Sequence, residues 1–247
     1  MKAMILAAGL GTRLRPLTDD RPKALVEIAG RTLLEITLTR LQSLGVREVI
    51  INVHHFADMI AEYLKRNDNF GMRIEVSREE TLLDTGGGLK KAACFFLENS
   101  SDAETPFFLH NVDVLSTIDL DRMLRFHNEN QALVTLAVQD RESSRYLLFD
   151  QQLRLCGRRS GGDREAELVR SCQQAQPLAF CGIHVISPGL LSLLKEEGPF
   201  SITDAYLDLA ARGSPIVGFR ADEYYWRDVG NLPSLKRAAE DLTQQAL

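Results

Sequence analysis

The sequence predicts an α/β fold in which a mostly parallel sheet carries helices on both faces, three layers in all. Two observations lead there. Through the first half of the chain, apolar runs short enough to be buried strands alternate with stretches of helical period, the pattern of strand–crossover–strand units. A glycine-rich turn follows the first of those runs, where an open parallel sheet presents its ligand crevice.

Taken in order, residues 2–8 form the first strand, and Leu33, Ile36, Leu41 and Leu44 share one face of a helix that Gly45 closes. Residues 49–53 are the next strand. Met59, Ile60, Tyr63 and Leu64 suit a second helix, and residues 74–77 a third strand. Residues 89–97 read as helix after a triple glycine, and Pro106 introduces the strand 107–109. The second half is less regular. Residues 133–138, 146–149 and 179–186 read as strands, and 157–164, with three glycines and several charges, as a mobile loop. Ser187-Pro188 opens a helix, with Ser as N-cap and Pro at the first helical position. Residues 202–211 and 232–242 are helices, the latter introduced by Asn231 and Pro233. No repeat, low-complexity tract or linker separates the halves, so they are expected to share a sheet as a single domain over 1–247.

The 247 residues, 45% hydrophobic and 26% charged, suit one large α/β domain with an ample core. A net charge of -5 weighs against binding nucleic acid through its phosphates but leaves room for a phosphorylated small molecule, which a few local cations can hold. Cys94, Cys156, Cys172 and Cys181 show no C-x-x-C pair and no zinc spacing, so they are expected to be reduced thiols in or near a core. The apolar start is too short for a signal peptide, and no stretch approaches the roughly 20 apolar residues of a membrane helix. A cytoplasmic protein with no nucleic-acid and no membrane partner is expected.

The turn Ala7-Ala8-Gly9-Leu10-Gly11-Thr12-Arg13 lets main-chain N–H groups approach phosphate oxygens closely. It is not the phosphate loop of ATPases, because no Gly-Lys-Ser/Thr follows, nor the dinucleotide fingerprint, because Leu14 stands where a third glycine would be. Arg13, Arg15 and Lys23 lie within fifteen residues of Gly9, in a segment held by Pro16 and Pro22. Three cations beside such a turn match a triphosphate with a departing pyrophosphate; a solvated basic loop is the plainer alternative. Further on, the strand 107–109 runs into His110-Asn111-Val112-Asp113, and Tyr225-Trp226-Arg227-Asp228-Val229-Gly230 offers a second aspartate. Two carboxylates from distant segments can clamp a magnesium nucleotide, although a lone Asp is more often a cap. Leu83-Asp84-Thr85-Gly86-Gly87-Gly88, after Glu79, opens a helix whose glycines admit a flat ring. His54-His55 reads as a polar strand end.

Leu6 through Thr18, followed by Arg21-Pro22-Lys23-Ala24-Leu25, resembles the signature of the sugar-1-phosphate nucleotidylyltransferases. The resemblance extends from Met1 to about Leu235 and implies a Rossmann-like fold of the nucleotide-diphospho-sugar transferase type. It also implies a nucleotide half over 1–115 and a sugar half over 116–247. Leu6, Ala7, Ala8, Gly9, Gly11, Thr12 and Arg13 would wrap the triphosphate, with Glu79, Thr85, Gly86 and Gly87 lining base and ribose. Arg13 would assist the leaving pyrophosphate and Lys23 would contact phosphate. Asp113 and Asp228 match the Mg²⁺ ligands, Asp113 counting also as catalytic, while Asn111 and Gly182 (in Phe180-Cys181-Gly182-Ile183-His184-Val185) would lie near the sugar.

Val112 replaces the family's usual glycine and would be strained if that position needs a positive φ. The Glu-Lys-Pro whose lysine contacts the sugar phosphate in many relatives is missing; Arg145, Arg158 or Arg159 is expected to substitute. The Leu-Asp-Thr-Gly-Gly-Gly segment resembles the branch using UTP with N-acetylmuramate 1-phosphate, and short guanylyltransferases using GTP with mannose or heptose 1-phosphate are almost as similar. Expected partners are therefore UTP or GTP and a sugar 1-phosphate, and a homodimer is allowed. Without hexapeptide repeats, an acetyltransferase domain is not expected. Two rivals stand beside this: a CTP-dependent transferase acting on an alcohol phosphate such as phosphocholine, and a non-catalytic nucleotide-sensing relative. Retention of Arg13, Lys23, Asp113 and Asp228 weighs against the second.

Overall fold

A computed structural model describes residues 1–98, 104–161 and 166–244. The first half opens with β1 (Lys2–Leu6), then a small hairpin of β2 (Glu27–Ile28) and β3 (Arg31–Thr32) that leads into α1 (Leu33–Ser43). Next come β4 (Glu48–Val53), α2 (Ala57–Arg66), β5 (Arg73–Arg78), α3 (Asp84–Lys91), α4 (Ala93–Phe96), β6 (Phe107–Asn111) and β7 (Val114–Ser116). The second half runs α5 (Leu120–Glu129), β8 (Val134–Gln139), β9 (Arg145–Phe149), β10 (Leu155–Ser160), β11 (Glu167–Leu168) and β12 (Gln176–Ile186). It ends with α6 (Gly189–Leu193), α7 (Ile202–Ala211), β13 (Ile216–Arg220), β14 (Trp226–Asp228) and α8 (Leu232–Gln244).

The central sheet takes the order β5-β4-β1-β6-β12-β8-β13. β5, β4, β1 and β6 pair in parallel, as do β8 and β13; only β12 runs against its neighbours. The far end of β12 carries β9, β10 and β11 as an antiparallel extension. Both halves therefore share one mixed sheet, mostly parallel through its centre, as expected. Residues of β1 alternate between two cores. Ala3 and Ile5 pack on one face with Leu38, Val49 and Ile51, and Met4 packs on the other with Leu89, Phe107 and Leu109. A strand buried on both faces reads as an unbroken apolar run, and residues 3–6 of β1 do.

Local chemistry sets the helix starts. Thr32 Oγ1 accepts from Glu35 N at 3.0 Å to open α1, and Asp119 Oδ1 accepts from Arg122 N at 2.8 Å to open α5. The helix α5 is not among the elements expected from sequence. Other expectations shift. The helix expected at 89–97 starts earlier, with the triple glycine inside α3. Residues 157–160, expected in a loop, belong to β10, and 162–165 lie outside the described residues. Ser187 does not cap α6 through its side chain, because its hydroxyl donates to Ala132 O at 2.8 Å. All four cysteines are free thiols, Cys156 and Cys181 buried. No helix among the described residues is long and apolar enough to cross a membrane.

Candidate active site

The floor of the site is the turn after β1. Ala7 N leaves the sheet and donates to Asn52 Oδ1 at 2.8 Å. Asn52, on β4 and buried, donates in turn to Glu79 Oε1 at 2.7 Å, and Glu79 Oε2 accepts from Leu83 N at 3.0 Å. One buried amide thus ties the glycine turn to the loop that opens α3. Gly11 sits at φ +66, a left-handed position that suits glycine, and its Cα faces the Thr18 methyl and Lys23 Cβ. Thr18 Oγ1 donates to Gly11 O at 2.9 Å, which folds the basic segment back over the turn.

The acids arrive from two directions. Val112 N donates to Leu6 O at 3.1 Å, so β6 ends beside the end of β1 and delivers Asp113 over the turn. The two-stranded ribbon of β7 and β14 pairs Val114 with Asp228, and Val229 N donates to Asp113 O at 2.9 Å. That pairing brings together aspartates far apart in the chain. A methyl group added to Gly230 would lie 2.6 Å from Asp228 Oδ1, 2.8 Å from Arg13 Nη2 and 3.4 Å from Asp113 Oδ2. Lys23 Nζ forms an ion pair with Asp113 Oδ2, both side chains largely buried. Val112 keeps a φ outside the left-handed region and packs in the core, so the missing glycine introduces no strain.

Two carboxylates are hard oxygen donors of the kind Mg²⁺ takes, one or two per ion, with phosphates and water completing its shell. No group of three or more His, Cys, Asp or Glu that could hold a metal occurs among the described residues. The donor set therefore fits an ion shared with a phosphorylated substrate better than a closed structural site.

Above the turn lies a cleft of about 230 Å³, lined by Leu6, Ala7, Ala8, Gly9, Lys23, Asn52, Leu82, Asp84, Thr85, Asn111, Val112 and Asp113. A larger hollow of about 550 Å³, between Asp150, Arg154, Arg170 and Pro215, shares no residue with it, and its Arg170 is already paired with Asp150. The smaller cleft is the one with converging cations, carboxylates and open backbone. Arg13 and Asp228 stand at its edge around Gly230, and Thr12 lies in the exposed short helical turn that follows Gly11.

Other expected residues act from behind. The glycines expected to admit a flat ring are filled by the protein itself. A Cβ on Gly86 would strike the Phe200 ring at 2.2 Å, and one on Gly87 would strike Gly198 O at 2.5 Å. Thr85 lines the cleft, while its Oγ1 accepts from Ile202 N at 3.0 Å at the start of α7. Gly182, at φ +73 in an irregularity of β12, leaves room for the Asn111 amide, whose nitrogen would be 2.8 Å from an added Cβ. His54 Nδ1 pairs with Glu79 O at 2.8 Å, a structural contact.

Two of the three arginines expected near the sugar phosphate are engaged elsewhere. Arg158 is paired with Glu167 and Asp204, and Arg159 lies 5.0 Å over the Tyr146 ring. Asn52 is a cleft residue that motif and spacing alone do not single out; its signal is a lone amide inside the apolar run of β4.

A nucleotidyl transferase family model matches residues 2–245. The N-acetylmuramate alpha-1-phosphate uridylyltransferase of Caulobacter vibrioides is 35% identical over 246 residues, covering 96% of this chain and 95% of that protein. The mannose-1-phosphate guanyltransferase of Yarrowia lipolytica is 31% identical over 233 residues, which is 93% of this chain; the chain spans 61% of that protein's length. The UDP-glucose pyrophosphorylase of Acinetobacter baumanii shares the fold, with a TM-score of 0.78 at 19% identity over 96% of this chain and 91% of that one.

Proposed function

The chain belongs to the nucleotidyl transferase family, and from that premise we propose that it moves a nucleoside monophosphate from a nucleoside triphosphate to a sugar 1-phosphate, releasing pyrophosphate. The observation that carries this reading is the convergence of Asp113, Asp228 and Arg13 around Gly230 above the glycine turn. UTP with N-acetylmuramate 1-phosphate is the leading substrate pair, because the uridylyltransferase relative is matched over nearly its whole length. GTP with mannose or heptose 1-phosphate comes second, supported by relatives of which the chain spans less than two thirds.

The chemistry follows from the donor set. An oxygen of the sugar phosphate is already anionic and needs no general base. It attacks the α-phosphorus in line; the new P–O bond forms as the bond to the β-phosphate bridging oxygen breaks, and pyrophosphate leaves with that electron pair. The N–H groups of the turn after β1 hold the triphosphate, while Arg13 and Lys23 neutralise the charge that builds on the leaving pyrophosphate. Asp113 and Asp228 would hold Mg²⁺, which when bound supplies further charge neutralisation at the phosphates. Residues 1–115 bind the nucleotide and 116–247 the sugar, with Asn111 and Gly182 at their meeting point.

The test is a pyrophosphate-release screen of UTP, GTP, CTP and ATP against N-acetylmuramate, mannose and heptose 1-phosphates and phosphocholine, with and without Mg²⁺. Release with UTP or GTP and a sugar 1-phosphate, dependent on Mg²⁺, is the expected result. Release only with CTP and phosphocholine would reassign the acceptor, and silence with every pair would leave a nucleotide sensor.

A further inference from the structure

The proposed reaction brings a second anion, the sugar phosphate, against two carboxylates that repel it. Arg13 and Lys23 are placed at the triphosphate, so the acceptor side needs a cation of its own. Arg158 and Arg159 are occupied by their acidic and aromatic neighbours, and Arg145 is exposed at the start of β9, outside the residues that line the cleft.

Arg141, just beyond the end of β8, is placed differently. Its guanidinium carbon lies 3.6 Å from the centre of the Trp226 ring, its Nη2 donates to Phe180 O at 3.0 Å, and its Nη1 makes a long 3.4 Å contact with Glu142 O. Trp226 Nε1 donates to Cys181 O at 2.7 Å. Arginine and indole are therefore both fastened to β12 immediately before Gly182, the residue that makes room for the Asn111 amide. Trp226 and Asp228 are two apart on β14, and strand alternation projects such residues to the same face. The stack of Arg141 on Trp226 thus stands on the Asp228 side of the ribbon, within electrostatic reach of that carboxylate.

Arg141 has no carboxylate within ion-pair distance among the described residues, and its Nε is buried without a hydrogen-bond partner. Desolvation holds its guanidinium below the usual arginine range. A half-buried cation with unspent donors is unfavourable by itself and becomes favourable when an anion completes it. The planar fork of arginine suits a phosphate with two oxygens presented side by side.

We propose that Arg141, held flat on Trp226, binds the phosphate of the sugar 1-phosphate and sets it beside Asp228 for attack. This inference rests on the nucleotidyl-transfer reading but can be tested apart from it, because Trp226 is the chain's only tryptophan and its emission reports on Arg141 directly. The native chain, Arg141→Gln and Arg141→Lys would be titrated with inorganic phosphate, N-acetylmuramate 1-phosphate, mannose 1-phosphate and UTP while Trp226 fluorescence is followed.

In the native chain, inorganic phosphate and at least one of the sugar phosphates should change the emission. Arg141→Gln should weaken that binding about tenfold or more, the worth of a hydrogen-bonded charge contact, with UTP affinity unchanged. Arg141→Lys should fall between, keeping the charge and losing the fork. In turnover, Arg141→Gln should raise KM for the sugar 1-phosphate and leave KM for UTP alone. Equal binding of sugar phosphate by native and Arg141→Gln protein would overturn the assignment. So would an equal loss of UTP binding, the mark of a purely structural arginine, or a native emission indifferent to every phosphate tested. A native chain that releases no pyrophosphate, yet binds inorganic phosphate through Arg141, would sink the reaction and keep the anion site.

Discussion

Gly230→Ala is the sharpest probe of the proposed site. Gly230 is buried, and its φ lies outside the left-handed range, so alanine meets no backbone strain there. Only space opposes it. The new methyl would stand 2.6 Å from Asp228 Oδ1 and 2.8 Å from Arg13 Nη2, against ordinary contacts of about 3.5 Å. Both groups must therefore retreat by roughly 0.7 to 0.9 Å, while Asp113, 3.4 Å away, need hardly move. A displacement near 1 Å of groups that act together lowers rates by about a hundredfold, so kcat should fall ten- to a hundredfold, about 1.4–2.7 kcal/mol of barrier. Arg13 is exposed and can swing aside, so folding stability should change by less than about 1 kcal/mol. The assay is pyrophosphate release at saturating substrates, with Mg²⁺ varied, beside a thermal melt. The Mg²⁺ concentration for half-maximal rate should rise. A variant with kcat within twofold of native, at native Mg²⁺ demand, would refute the idea that these three groups work as one site.

Four further outcomes are expected. A methyl added at Gly9 would have nothing within 4 Å of it, and Gly9 has no left-handed φ, so Gly9→Ala should melt within about 2 °C of native. Its KM for the nucleoside triphosphate should still rise about tenfold, and an unchanged KM would mean that phosphate does not approach this turn. Asn52→Ala strands Ala7 N and Glu79 Oε1 at about 1–3 kcal/mol per buried group; urea unfolding should show the loss, and native stability would dismiss Asn52 as the brace. Asp113→Asn and Asp228→Asn keep shape and remove charge, so each should lose at least about a hundredfold in turnover. The melt should be unaltered for Asp228→Asn and lowered for Asp113→Asn, which leaves the largely buried Lys23 without its counter-charge. Near-native rates in either would remove that residue from the proposed metal site.

The fourth concerns pH. Burial pushes His184 down to about 3, helped by neighbouring His110, and His127 down to about 4, against an ordinary value of 6.5. Below 6.5 the unfolded chain takes protons that the folded chain refuses, so their contribution to stability is complete above that pH. It is lost as pH falls toward 4, by up to about 1.4 kcal/mol per pH unit for each histidine. Urea unfolding between pH 7 and 4 should show this slope, and His127→Gln should flatten it by about one proton; an unaltered slope would show that His127 does not contribute. The contacts agree with a neutral ring. The Ser187 hydroxyl donates to Ala132 O, so His127 Nε2 must donate to Ser187, leaving Nδ1 to accept from Thr135 Oγ1.

What the sequence revealed, it revealed where local chemistry decides the outcome. The strands buried on both faces, β1 and β4, are apolar over residues 3–6 and 49–51, and α7 matches its expected span residue for residue. The helix α5 escaped because few of its ten side chains are buried, Leu120, Met123 and His127; its clearest signal was the cap at Asp119. Residues 157–160 look like a loop by composition but form a strand through backbone pairing with β9 and β11, and Gly157 is required because Glu167 O passes 2.2 Å from where its Cβ would be. The glycine-rich turn after β1 was legible as a motif, and it lines the cleft. The meeting of the acids depends on the three-residue strands β7 and β14, too short to announce themselves. Arg141, in Asp140-Arg141-Glu142, looks like part of a solvated charge run, and only tertiary contacts give it a partner in Trp226.

Hydrogen bonding at the two acids leaves each with an oxygen for a further partner. Asp113 commits Oδ2 to Lys23, and Asp228 commits Oδ1 to Gly230 N at 2.6 Å. Each acid is thereby fixed through one oxygen, and each retains a second for another partner. Two such oxygens are what a Mg²⁺ shared with substrate phosphates requires, since the ion takes only one or two carboxylates and keeps its remaining positions for phosphate and water. In the proposed reaction Lys23 would therefore neutralise phosphate without being displaced by the metal, and the Gly230 amide would hold Asp228 without blocking it. The arrangement makes the two neutral amide variants unequal in kind. Asparagine at 113 would turn the lysine contact from an ion pair into a hydrogen bond from a charged donor to a neutral amide and so disturb both the lysine and the proposed metal, whereas asparagine at 228 can still accept from Gly230 N and would lose only the proposed metal contact.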